Sequence, residues 1–131
     1  MTRMFAHPAP DHLQWKLLEG SLVVIQPIEV IGALPTQRGI RRATRANVFV
    51  VDGPKAGTCY RDVMIFPGGI QRMLTGCIGK LVLGRVATGK AGKDYLAPPW
   101  LLLSVADDPE AVEAAADAIT FAQDTPFENY R

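Results

Sequence analysis

The chain holds only two cysteines and two histidines among its 131 residues. Cys59 and Cys77 show no CxxC spacing, and His7 and His12 lie far from both. Neither a disulfide framework nor a zinc site has support, and buried, reduced thiols are the expectation. Long apolar runs are equally scarce. Nothing approaches the roughly 18–20 apolar residues of a bilayer span. The opening segment, with Arg3, His7, Pro8 and Pro10, lacks the apolar stretch of a signal peptide. A cytoplasmic protein without membrane contact is the expectation.

Catalytic patterns are thin as well. Around His7, Asp11 and His12 there is no nucleophile and no paired carboxylate in a context suited to acid–base work. The stretch GRVATGKA at residues 84–91 nearly matches a phosphate-binding loop. Ala91, however, stands where a Mg²⁺-ligating hydroxyl belongs, and Gly92, Pro98 and Pro99 deny the helix that would face the phosphates. The stretch reads as a basic hairpin loop, and the chain as a non-enzyme with no metal and no cofactor.

What is present is a globular composition, 48% hydrophobic and 21% charged, with ten prolines and twelve glycines that predict many short elements joined by turns. One domain accommodates this length. The formal net charge of +1 conceals an asymmetry. Residues 1–106 carry thirteen Lys or Arg against six Asp or Glu, net +7, whereas residues 107–131 carry seven acids against Arg131, net −6. A basic body with an acidic tail is one design of proteins that coat nucleic acid; by charge alone, a soluble body with a solvated helix is the alternative.

Glycine and proline punctuate the chain clearly. Residues 1–19 form a proline-rich arm ending in Leu13, Trp15, Leu17 and Leu18, with strand, helical turn and flap all open. SLVVIQPIEVI at residues 21–31 predicts a first strand in which Pro27 implies an edge or a bulge. GALPTQRGIRRATR follows as a turn-rich connection bearing Arg38, Arg41, Arg42 and Arg45. ANVFVVDG alternates as a second strand, DGPKAG turns, and CYRDVMIF is a third strand halted by Pro67. Ile70, Met73 and Leu74, at helical spacing, predict a short helix over residues 68–76. GKLVLGRVA and PPWLLLSVA are strands four and five, flanking the exposed loop TGKAGKDYLA. Beyond Asp107, early acids, Pro109 and many alanines predict a C-terminal helix. Three strands, a helix and two strands over residues 20–106, then an acidic helix and tail over residues 107–131, match a mainly β, five-stranded OB-fold Greek-key barrel.

Such a barrel holds an unpaired strand with cations for phosphates and flat side chains for bases. Arg38, Arg41, Arg42 and Arg45 in the first connection, Arg85 in strand four, and Lys90 and Lys93 in the second connection supply the charge. Alternation sets Ala46, Val48 and Val50 on one face of strand two and Arg45, Asn47, Phe49 and Val51 on the other. Phe49 is then either a stacking platform or, in the opposite phase, a core residue. Tyr60, Phe66 and Trp100 pose the same choice, and solubility is the plain alternative for the cations.

The segment from VFVVDG through IGKLVLGR to the GKA loop and PPWLL resembles a family of small OB-fold proteins of actinobacterial phages and prophages, thought to bind single-stranded DNA. The resemblance covers roughly residues 20–106 and has no catalytic residue to transfer. It implies a role in replication or recombination, homo-oligomerisation, and replication or recombination proteins as partners. Asp124, Thr125, Pro126 and Phe127 are similar to the acidic tip of bacterial strand-binding proteins, though ENYR follows; packing of Phe121 and Phe127 on the barrel is the other reading. The leading expectation is a non-catalytic, largely sequence-independent single-stranded DNA-binding protein. A structural or protein-interaction OB domain and an RNA-binding OB module are the alternatives.

Overall fold

The computed structural model describes residues 13–89 and 99–124, with side-chain detail to residue 119. Eight elements run in the order α1 (Trp15–Leu18), β1 (Leu22–Thr36), β2 (Gly39–Val50), β3 (Cys59–Ile65), α2 (Gly68–Leu74), β4 (Val82–Thr88), β5 (Trp100–Leu103) and α3 (Pro109–Asp124). The architecture is mainly β: one open, antiparallel, five-stranded sheet of order β3-β2-β1-β4-β5, with three helices. No described helix is long and apolar enough to cross a membrane.

The order follows from where apolar residues run unbroken. Leu22, Val23, Val24 and Ile25 are all buried, and this stretch of β1 pairs with β2 on one side and β4 on the other. A strand buried on both faces belongs at the sheet centre. Alternation then sorts its neighbours. Val23 and Ile25, Ala46, Val48 and Val50, Val63 and Ile65, Val86, and Leu102 enter one core cluster, with Ile70 and Leu74 of α2. The small, branched residues of β2 therefore face the core. Leu22, Val24 and Phe49 have the opposite parity yet are buried too, and α3, which packs against β1 and buries Ala111 and Ala115, belongs to that second layer.

The sheet is curled, and α2 shows by how much. Strands β3 and β5 lie four positions apart in the sheet order, which in a flat sheet would separate them by about 19 Å. Yet α2, about 10 Å long by helical rise, packs on β5 at Gly69 while the Gln71 side chain bonds the carbonyl of Phe66, just past β3. The two edges must bend toward each other across the helix.

One expectation is revised, and one open choice is decided. The residues expected as a turn-rich connection continue both strands instead, so that β1 reaches Thr36 and β2 begins at Gly39. Gly32, Pro35 and Gly39 weaken the strand signal locally, but here the strands pair only with each other, and a proline is tolerated on an edge. The undecided end of the arm is a single helical turn: Trp15 and Leu18, with Leu13, join the core cluster.

A Cβ on Gly69 would come within 2.6 Å of both the Trp100 carbonyl oxygen and Leu101 Cδ2. Backbone cannot yield as a side-chain tip does. Gly69→Ala should therefore push α2 off β5 and lower the urea midpoint, costing about 1–3 kcal/mol with the m-value unchanged.

Candidate nucleic-acid interface

Because β1 and β2 outrun their neighbours, a two-stranded ribbon projects from the sheet. β1 pairs with β4 only over Leu22–Ile25, and β2 pairs with β3 between Thr44 and Phe49. The two strands stay paired to each other as far as Thr36 and Gly39. Gln37 and Arg38 turn the ribbon, and Gly39, at φ +99°, takes a left-handed conformation that a side chain would strain. The Thr36 hydroxyl closes the turn, donating to the Gly39 carbonyl at 2.6 Å and accepting from the Arg38 N–H at 3.1 Å.

Three expected cations gather on this ribbon. Arg38 at the turn and Arg42 in β2 are exposed, and neither forms an ion pair among the described residues. Arg41 is half-buried, its guanidinium carbon 4.4 Å from the centre of the Phe66 ring. At the ribbon's foot lies Gln71 of α2, only 8% exposed. Its Nε2 donates to the Arg42 carbonyl at 3.1 Å and the Phe66 carbonyl at 2.8 Å, while its Oε1 accepts from the Thr44 hydroxyl at 3.2 Å. The FPG sequence flagged a helix start, and nothing in it marked Phe66 and Gln71 as neighbours of Arg41; only the fold does that.

Other expected residues are placed differently. Arg45 faces two carboxylates, Asp62 at 2.5 Å and Glu29 at 3.6 Å, and the hydrogen bond and charge of Asp62 raise its pKa further. Asp62 sits at φ +58°, where the β2–β3 register slips past Asn47. Asn47 completes the network, accepting from the Asp62 N–H at 2.8 Å and donating to the Gln26 side-chain Oε1 at 3.1 Å. This face of the sheet is self-satisfied. Arg85 braces strand ends, donating to the Gly20 carbonyl at 2.8 Å and to Asp52 at 3.3 Å, while Asp52 also accepts from the Leu22 N–H at 2.7 Å.

Among the aromatic candidates, Phe49 shares a face with Arg45 and Asn47 but is 7% exposed, which leaves no open ring for stacking. Tyr60 and Trp100 are half-buried and pack against the core cluster. Lys90 and Lys93 lie outside the described residues, as do His7, His12 and the DTPF stretch from Thr125 on. Cys59 and Cys77 are free but only half-buried; burial pushes the Cys59 thiol pKa up, with Arg61 opposing. No three His, Cys, Asp or Glu side chains converge on a metal position among the described residues.

The geometry thus separates ribbon arginines with no carboxylate partner among the described residues, one of them against an aromatic ring, from arginines engaged in bracing the sheet. Comparison of the chain with family models, with curated proteins and with solved structures finds no match.

The two classes of arginine should respond oppositely to truncation. Arg85→Ala is expected to lower stability by about 0.5–1 kcal/mol, the range of a partly exposed pair. Arg38→Ala and Arg42→Ala should leave the unfolding free energy within about 0.5 kcal/mol of the parent.

Proposed function

We propose that this protein is a non-catalytic, largely sequence-independent single-stranded DNA-binding protein built on an OB-type barrel. It protects or organises single strands in replication or recombination of phage type, in the host cytoplasm. The barrel reading is supported by the strand order, in which β1 sits between β2 and β4, and by a helix between β3 and β4 that spans the gap to β5. Joining β3 to β5 would close this sheet into a five-stranded barrel.

The observation that carries the binding reading is the ribbon itself. Arg38, Arg41 and Arg42 stand on an extension of the first hairpin, with no carboxylate paired to them among the described residues. Phosphate contact from such positions is cheap, because the guanidinium gives up only water and counterions. The sequence between β4 and β5 adds Lys90 and Lys93, two further cations for phosphate contact. Backbone charge and base faces are common to all sequences, so such a site discriminates single strand from duplex rather than base from base.

A second reading, assembly through an interaction surface, draws on exposed apolar residues: Val30 at 43% and Ile40 at 73% on the ribbon, with Met73, Ile78 and Leu81. Homo-oligomerisation joins it to the first, since a strand-coating protein gains reach by repeating its site.

Fluorescence anisotropy with labelled dT oligomers and with duplex of equal length tests the proposal. Single strands should bind more tightly. With about five cations on phosphates, log affinity should fall against log salt with a slope near −3.5. Replacing Arg41, Arg42, Lys90 and Lys93 together by Ala should weaken binding and flatten that slope while the melting temperature holds. Salt-insensitive or absent binding would remove the proposal in favour of the assembly reading, and equal affinity for rU would broaden it to RNA.

A further inference from the structure

We infer that Gln71 is a positioning residue that holds Arg41 against Phe66 as a flat platform for one unpaired nucleobase. This rests on the strand-binding reading and adds a base contact to its phosphate contacts.

Arg41 and Phe66 come from different elements. One lies in the projecting ribbon, and the other joins β3 to α2. Cα pairing between β2 and β3 stops at Thr44 and Ile65. Past that point the Gln71 amide ties the two segments together. Its two N–H donors go to the carbonyls of Arg42 and Phe66, one residue beyond Arg41 and the ring-bearing residue itself. Its oxygen is satisfied by the Thr44 hydroxyl. Gln71 is a buried residue whose two donor bonds are part-buried, so water competes with them less than at an open surface.

The pair it aligns is suited to a base. A guanidinium is planar, weakly hydrated and able to stack on both faces, one on an aromatic ring and one on a nucleobase. With Arg41 at 4.4 Å from the ring centre, Phe66 presses the cation from one side. Arg38 and Arg42, exposed on the same ribbon, add charge for phosphate contacts. A lysine at position 41 would keep the charge and lose the plane.

Binding of a dT oligomer and of an abasic oligomer of the same length separates base stacking from phosphate attraction. Wild type should prefer dT. Arg41→Lys should retain abasic affinity and lose about tenfold for dT, the size of one stacked base. Gln71→Met, close in volume but without the donors, should show the same base-selective loss. The double variant should bind dT no worse than either single one, because both remove one unit. Phe66→Leu provides a second route to the same loss should Gln71→Met fold poorly. Unchanged dT affinity in Arg41→Lys overturns the inference, and so does a Gln71→Met loss equal for dT and abasic oligomers, which would mark Gln71 as merely structural. If wild type binds neither oligomer, the strand-binding reading itself falls, an outcome distinct from the other two.

Discussion

Val23, Val24 and Ile25 hydrogen-bond through β1 to both β2 and β4, and every other part of the molecule is arranged around that doubly paired stretch. One half of the sheet, β2 and β3, hangs from one edge of these residues, and the other half, β4 and β5, hangs from the other. Their side chains are buried on both faces, so the stretch joins two apolar layers as well as two ladders. Further along β1 the pairing with β4 ends, and only β2 accompanies it. The ribbon is the direct consequence of one central strand being longer than one of its neighbours.

Two opposite uses of arginine follow. Where the sheet is complete, Arg45 and Arg85 meet carboxylates and carbonyls and serve the fold. Where the sheet runs out, Arg38 and Arg42 meet solvent and Arg41 meets an aromatic ring. Local pairing, more than the count of basic residues, decides which arginines lack a carboxylate among the described residues. Exposed pairs contribute little individually, so Arg45 chiefly balances the charge of Glu29 and Asp62 on that face.

Much of the fold was legible in the residues. The alternation of ANVFVV, the halt at Pro67, the helical spacing of Ile70 and Leu74 and the acid-led alanine helix each carry a local physical signal, and each element stands close to its expected place. The extent of the first hairpin was hidden, because Gly32, Pro35 and Gly39 suppress local strand character while long-range pairing overrides it. Phe49 shows the same limit from another side. Its parity followed from alternation, but whether anything covers it depends on a second layer no local pattern announces.

The sequence by itself determined the order of the five strands and of the two later helices, and the location of positive charge along the chain, since hydrophobic period and turn chemistry act between residues near in sequence. Only the tertiary structure decided which arginines are neutralised, and that Gln71 and Phe66 meet the foot of the ribbon. Those contacts join residues that are distant along the chain, through a curled sheet whose edges are brought together by a helix between them, and no pairwise pattern in the sequence encodes that closeness.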